Sequence, residues 1–392
     1  MINALLGNFQ PVADHDFLAR PAGKLIETAK YRPCHIVPLR INCATCARQC
    51  TVITVLAHCA RRFEPRQCSI SDSRRRRHMR IGMVGLGRMG ANMARRMARN
   101  GVQVAAFDLS PAARAAVARD EGIIAHEELA GLVAALPAPR VVWVMLPSGD
   151  VTEQALQKLA TLLAEGDVLV DGGNANYKDS RRRAAWLAER KLGFVDAGVS
   201  GGVWGLDNGY ALMLGGSQDV VARVEPFAKV LAPAPDRGWI HCGPAGSGHY
   251  VKMIHNGIEY GMMQAYAEGL SIMKAKEEFD LDLAAITEMW RHGSVVRSWL
   301  LDLTAEFLKN GQALDSISPV VADSGEGRWT AIEAIELGVP TPVMSLALMM
   351  RFSSQGQSDY GSKLLAMMRA GFGGHAVQSA ESKPAAAPAK KK

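Results

Sequence analysis

The sequence predicts an α/β fold, a doubly wound parallel sheet domain followed by an all-α domain, and three observations carry that expectation. Short apolar runs alternate with helical stretches over residues 80–195. A glycine-rich turn joins the first run to the first helix. From residue 281 to 368 helix formers dominate, broken at Gly293, Gly311, Pro319, residues 325–327 and residues 340–342.

The first strand is expected over residues 80–84 and a helix over 91–99, with Gly85-Leu86-Gly87-Arg88-Met89-Gly90 between them. Gly85 permits the tight turn, Gly87 lets the backbone approach a pyrophosphate, and Gly90 lets helix and strand pack closely. The helix N-terminus, with Leu86, Arg88 and Met89 around it, offers free N–H groups and a partial positive charge to phosphates. That order makes the first domain Rossmann-type. A second strand over 102–107 ends in Asp108, at the distance expected of a group that accepts hydrogen bonds from the adenosine ribose and repels a 2′-phosphate. NAD is the preferred cofactor on this reading and NADP a possible one. The bland alternative makes Asp108 a turn residue ahead of Pro111.

Further strands are expected over 141–146, 168–170 and 194–195, separated by helices over 151–163 and 180–189. Leu146 and Pro147 follow one strand end and Asp171-Gly172-Gly173-Asn174 another, where such sheets bind ligands. Asn174 offers a donor and an acceptor to substrate or nicotinamide; a plain glycine turn is the alternative. Ser200-Gly201-Gly202 then presents bare backbone and a hydroxyl suited to a carboxylate. No His and Asp stand around Ser200 as a hydrolase requires, so binding is its better role, against a capped turn.

A helix is expected from Gly246 to about residue 274. Lys252, Asn256 and Glu259 stand at i, i+4 and i+7, so an amine, an amide and a carboxylate share one face, while Val251, Ile254 and Ile258 lie largely on the other. A solvated face is the bland reading. Against it stand the adjacent polar His255 and Asn256 in an apolar stretch, and Gly257, which costs about 1 kcal/mol relative to alanine and hints at close backbone or ligand approach.

Residues 251–261, VKMIHNGIEYG, resemble the signature helix of the 6-phosphogluconate dehydrogenases, and GLGRMG, DGGNANY, VSGGVWG and GEGRWT fall in that family's order. The resemblance covers about residues 79–376 and is to the short, NAD-preferring, decarboxylating kind. It implies oxidative decarboxylation of 6-phosphogluconate to ribulose 5-phosphate, with Lys252 as general base and Glu259 as general acid. It further implies that Ser200, Gly201, Gly202, Asn174, His255 and Asn256 hold the sugar acid, and that Tyr260 and Arg297 hold its phosphate. Arg369 and His375 resemble a terminal element that reaches into the neighbouring subunit's site, which implies a homodimer or a dimer of dimers. A lysine with an ordinary pKa of about 10.4 needs burial or positive charge to act as a base, and Glu259 needs the opposite tuning. The rival enzyme reading is a β-hydroxyacid dehydrogenase acting on a small acid such as 3-hydroxyisobutyrate. A rival from another class is a nucleotide-sensing or nucleic-acid-binding protein that uses the basic N-terminus.

Charge and cysteine divide the 392 residues unevenly. Residues 1–78 hold 13 Lys and Arg against 5 Asp and Glu, leaving 32 against 33 for the rest, so the body has no need of nucleic acid. Six of the 7 cysteines also lie upstream. Cys43, Cys46 and Cys50, with Cys34, His35, His58 or Cys59 as a fourth ligand, suggest a zinc site, but only one pair has the two-residue gap such sites repeat. The favoured reading is an extension over 1–78, disordered or non-native, with no metal. The remaining divisions are a dinucleotide-binding domain over 79–245, a helical substrate and dimerisation domain over 246–376, and a disordered tail over 377–392. No run approaches the ~20 apolar residues of a membrane span and no secretory signal opens the chain, so a cytoplasmic enzyme is expected.

Overall fold

The computed structural model describes residues 79–373 and Val377. The extension 1–78 with its candidate zinc ligands, His375 and the tail 378–392 lie outside the described residues. The sheet half runs β1 (Arg80–Val84), α1 (Arg88–Arg99), β2 (Gln103–Phe107), α2 (Pro111–Val117), β3 (Ile123–Ala125), α3 (Leu129–Ala134), β4 (Val141–Val144), α4 (Asp150–Leu162), β5 (Val168–Asp171), α5 (Tyr177–Ala188) and β6 (Gly193–Ser200). After a 3₁₀ turn (Gly202–Trp204) it continues through α6 (Gly205–Asn208), β7 (Ala211–Gly215), α7 (Gln218–Leu231) and β8 (Trp239–Gly243).

The strands form one sheet in the order β3-β2-β1-β4-β5-β6-β7-β8. β4 and β5 are buried at every position, as central parallel strands covered on both faces must be. Alternate residues divide between two apolar clusters: Val141 and Trp143 join one, Val142 and Val144 the other. Period-2 geometry thus sends one strand's side chains to the helices on either face.

Three strands go beyond the sequence expectation, namely β3, β7 and β8, and the sheet is not wholly parallel. β7 runs antiparallel to β6, pairing Ser200 with Ala211 and Asp196 with Gly215. The reason is length: residues 201–210 hold only the 3₁₀ turn and the single-turn α6, whereas a parallel crossover needs about a dozen residues or more. β8 returns parallel to β7 after α7 supplies such a crossover.

The helical half comprises α8 (Ser247–Ala275), a 3₁₀ turn (Glu277–Phe279), α9 (Leu283–Trp290), α10 (Trp299–Lys309), α11 (Glu326–Glu336), α12 (Pro342–Ser354) and α13 (Asp359–Gly373). α8 is the axis, 29 residues long and so about 43 Å at 1.5 Å per residue. It touches β6 and β7 at one end and α11 and α12 further along. Among the described residues no helix is long and apolar enough to cross a membrane.

Candidate active site

The glycine turn after β1 has the form its residues require. Gly85 sits at φ +94°, and a Cβ there would meet the Met145 carbonyl oxygen at 2.4 Å. A Cβ on Gly90 would lie 2.0 Å from the Gly85 carbonyl oxygen, so α1 packs onto the turn at a distance only glycine allows. Gly87 caps α1 without a side-chain bond, no acidic residue occupies the first turn, and a Cβ on Gly87 would meet nothing within 4 Å. The helix therefore presents free N–H groups to open space, a cradle that fits a pyrophosphate.

Asp108 follows β2 as expected, but its carboxylate also serves the backbone. Oδ2 accepts the Leu86 N–H at 2.7 Å and Oδ1 the Ser110 N–H at 2.8 Å. Each oxygen retains a lone pair for a ribose hydroxyl. Arg114 lies beside it, donating to the Asp108 and Leu109 carbonyl oxygens at 2.8 and 3.2 Å. The sequence reading weighed only an arginine immediately after Asp108. A helical turn brings one back from six positions on.

The loop after β5 is held from beneath by a buried ion cluster. Arg183, 1% exposed, bonds the fully buried Asp171 at 2.8 Å and Glu153 at 2.9 Å. Asp171 Oδ1 in turn accepts the Gly173 N–H. The hydrogen bond from Arg182 and the charge of Arg183 hold the Glu153 carboxyl down at about 2. A Cβ on Gly172 would strike the Trp143 indole at 2.2 Å, so this loop lies flat on the sheet and leaves Asn174 exposed in the cavity wall.

Asp196 of β6 fixes the start of α8. Gly246, at φ +97°, offers no capping side chain; instead the buried Asp196 carboxylate accepts the N–H of Gly246 at 2.6 Å and of His249 at 2.8 Å. No local sequence signal marks a cap supplied from fifty residues upstream. Cβ atoms on Gly198 and Gly248 would meet Lys252 Cβ at 2.5 Å and the Met213 carbonyl oxygen at 2.4 Å. These two glycines let α8 lie against the sheet edge, and that approach buries Lys252.

Lys252 is 7% exposed, and its Nζ donates to Asn256 Oδ1 at 2.6 Å. Burial pushes its pKa below the usual lysine range, while the carboxylates of Glu259 and Glu326 oppose that fall. His255 Nδ1 lies 3.1 Å from the same Asn256 oxygen and 3.8 Å from Glu259 Oε2. The amine, amide and carboxylate thus share one face, as their spacing predicts. Val251, Ile254 and Ile258 do not bury the opposite face: they border the cavity, and Ile258 is 51% exposed. The packed positions include glycines where neighbouring elements approach; a Cβ on Gly257 would meet Thr330 Cγ2 of α11 at 2.7 Å. The close approach anticipated at Gly257 is a helix–helix contact.

These parts surround one cavity of about 1270 Å³. Gly87, Arg88, Met89, Gly90, Leu146, Pro147, Asn174, Ser200, Gly201, Gly202, Lys252, His255, Asn256 and Glu259 all line it, so most of the residues singled out in the sequence meet here. Gly85, Leu86 and Asp108 stand behind the turn. Tyr250, Trp204 and Trp299 join the wall without having been anticipated, since an aromatic side chain carries no marker of which way it faces. Tyr260, Arg297 and Arg369 are not among the lining residues. Arg297 and Arg369 are exposed, the first in the loop between α9 and α10, the second on α13.

Tyr260 is buried between α8, α11 and α12, with its hydroxyl 3.2 Å from Ser324 Oγ. The Arg351 guanidinium of α12 stacks 3.4 Å from the ring centroid. Its other contacts are the Ala322 carbonyl oxygen and Met263 sulfur, with no carboxylate among the described residues. Arg351 was missed from sequence because nothing nearby distinguishes it from a surface arginine.

Comparison with known proteins agrees with this geometry. Residues 80–242 match the NAD binding domain of 6-phosphogluconate dehydrogenase, and residues 248–383 match the 6-phosphogluconate dehydrogenase C-terminal domain. The chain is 41% identical over 300 residues to an NAD(+)-dependent, decarboxylating 6-phosphogluconate dehydrogenase of Haloferax volcanii, covering 76% of this chain and 98% of that protein. It is 36% identical over 286 residues to the enzyme of the same name from Bacillus subtilis, covering 70% of this chain and 61% of that longer protein. Among solved structures, Plasmodium falciparum 6-phosphogluconate dehydrogenase superposes with a TM-score of 0.66 at 28% identity, covering 77% of this chain and 67% of that one. With both halves matched in order, the chain belongs to the 6-phosphogluconate dehydrogenase family.

Proposed function

We propose that this protein oxidises and decarboxylates 6-phosphogluconate to ribulose 5-phosphate and carbon dioxide, with NAD as the preferred oxidant, in the cytoplasm. One observation carries the reading: a buried lysine, biased towards its neutral form, shares a cavity with a glutamate and with an uncapped helix N-terminus behind a glycine turn. In this reading the dinucleotide-binding domain runs over 79–245 and the helical domain over 246–376, a division supported by the end of β8 at Gly243 and the start of α8 at Ser247.

The nicotinamide, when bound, supplies the hydride acceptor for C3 of the substrate. Neutral Lys252 takes the proton of the C3 hydroxyl, and Asn256, bonded to its Nζ, fixes the amine's direction. The product of that step is a 3-keto acid, β to its carboxylate, from which carbon dioxide departs readily. Glu259 then protonates C1 of the resulting enediol. Ser200, Gly201 and Gly202 receive the carboxylate, and Asn174 and His255 hold hydroxyls. Asp108 accepts hydrogen bonds from the adenosine ribose while tying Leu86 and Ser110 in place.

The phosphate lies towards Tyr260, eight residues beyond Lys252 and so about 12 Å along α8, a span that suits a six-carbon chain. Arg351, stacked on Tyr260 without a carboxylate partner among the described residues, supplies a charge there, with Arg297 at the rim. Residues 356–369 are exposed without interruption, which fits α13 and Arg369 docking on a second copy of the chain, with His375 beyond it. The protein is accordingly read as a homodimer or a dimer of dimers.

The test is turnover of 6-phosphogluconate against 3-hydroxyisobutyrate, following NADH and released carbon dioxide. Reaction of the sugar acid alone is the expected result. Reaction of the small acid alone would establish the β-hydroxyacid dehydrogenase reading instead.

A further inference from the structure

The segment that joins β6 to β7 takes its shape from outside itself. Ser200, Gly201, Gly202, Val203 and Trp204 all line the cavity, yet the only regular structure between the two strands is one 3₁₀ turn and the single-turn α6. Gly201 and Gly202 sit at φ +135° and +52°, conformations that favour glycine. The segment arches over the fully buried Tyr210 so closely that a Cβ on Gly205 would meet Tyr210 Cε1 at 2.0 Å. So short a turn satisfies few of its own carbonyls, and whatever fastens it decides where its glycines stand.

The fastening comes from α1, the helix whose N-terminus forms the pyrophosphate cradle. Arg96 Nη1 donates to the Leu206 and Asp207 carbonyl oxygens at 3.1 and 3.2 Å, its Nε to that of Val230 at 3.2 Å, and its Nη2 to that of Ala232 at 2.7 Å. One guanidinium thus caps the C-terminal ends of both α6 and α7, where carbonyls lack partners within their own helix. Asn92 and Arg99 stand at i−4 and i+3 on the same face of α1. Asn92 donates to the Val203 carbonyl oxygen at 3.3 Å, and Arg99 pairs with Asp207 at 3.1 Å.

We propose that Arg96 is a positioning residue for the substrate. By bolting α6 and the end of α7 onto α1, it sets where Ser200, Gly201 and Gly202 stand, and so how tightly the carboxylate of the sugar acid is held. The inference rests on the reading that those three residues receive that carboxylate. Arg96 acts only through them: it is not on the cavity wall, and it lies nine residues beyond Gly87, about 13 Å along α1 from the cofactor cradle.

The geometry demands arginine. Reaching four carbonyls at two helix ends takes a planar fork with donors on three nitrogens, whereas a lysine brings all its donors to one point. Without the fork, the segment is held by the pairing of Ser200 with Ala211 and by the exposed contacts of Asn92 and Arg99, which contribute little. A binding group displaced by about 1 Å loses much of its effect on the reaction. The pyrophosphate cradle keeps its form, because Gly85 and Gly90 pack against each other and against Met145 at the far end of α1.

The test is steady-state kinetics of the full chain with 6-phosphogluconate and NAD, beside NAD binding by fluorescence titration and unfolding in urea, for Arg96→Met, Arg96→Lys and Arg140→Met. Arg140→Met breaks an ion pair to the buried Asp167 ahead of β4, and so lowers stability without touching the segment. Arg96→Met lowers kcat/KM for 6-phosphogluconate by about 10²-fold, chiefly through KM, while NAD binding is unchanged. Arg96→Lys keeps the charge without the fork and falls between Arg96→Met and the unmodified protein; it carries the test if Arg96→Met does not fold. Arg140→Met loses stability and keeps its KM. An unchanged KM for 6-phosphogluconate in the Arg96 variants, an equal weakening of NAD, or the same rise in KM in Arg140→Met overturns the inference and leaves the proposed activity standing. If the unmodified protein does not oxidise 6-phosphogluconate, the reading beneath the inference falls and the inference with it.

Discussion

The two halves of the molecule bury their apolar side chains very differently. Both apolar clusters lie wholly within the sheet half, between Ile81 and Leu231. The helical half leaves Ile335 80% and Val343 67% exposed, with Leu365 and Met367 of α13 exposed as well. Exposed apolar side chains in such number are suited to interaction with another surface. The sheet half holds both clusters, whereas the helical half contributes the α8 side of the cavity and leaves these side chains exposed.

Substitutions in α8 give the largest effect. Lys252→Met lowers kcat by about 10²–10⁴-fold, the worth of a general base, while NAD binding measured by fluorescence titration is retained. The pH profile sharpens the point. Burial lowers the Lys252 pKa, so kcat/KM rises with pH through a value below that of a free lysine. Glu259→Gln removes a charge that favours the protonated amine and moves that limb to lower pH in whatever activity remains.

In the sheet half the expected losses are of stability. Arg183→Met leaves the buried Asp171 carboxylate unpaired and costs about 3–5 kcal/mol in urea unfolding. Turnover per folded molecule falls less, through the loop that carries Asn174. A charged residue in the exposed face, Ile335→Asp or Val343→Asp, yields monomers in sedimentation and loses activity at low protein concentration. Unchanged mass would show that this face is not the interface.

Smaller effects follow at the cofactor turn and in acid. Asp108→Ala raises the KM for NAD by about tenfold through lost hydrogen bonds, and narrows the gap to NADP because Arg114 remains. The Glu153 carboxyl, at about 2 in the fold against 4.5 ordinarily, adds stability that is full above the higher value and is lost as pH falls towards the lower. Glu153→Gln should flatten the acid limb of the unfolding curve, and an unchanged limb would refute the assignment.

The glycine turn, Asp108 and the Lys252, Asn256 and Glu259 face were legible because each depends on neighbours within a turn or a few residues. β7 was not, since its direction follows from a loop too short to cross over. Nor was the Asp196 cap on α8, or Arg183 beneath Asp171, because partners far apart in sequence leave no periodic trace. What packs on α8 was not legible either: Gly248, Gly257 and Gly261 are buried beside Met253 and Tyr260, because neighbouring elements approach there closely enough to require small residues.

By itself the sequence determined the two-part fold, the family-like helix and the order of amine, amide and carboxylate along it, since local geometry converts spacing directly into direction. Tertiary structure alone decided that Lys252 is buried, that Tyr260 turns from the cavity towards Ser324 and Glu326, and that Arg351 stacks upon it. Burial and hydrogen bonding depend on which distant segments meet, and packing between helices brings those segments together.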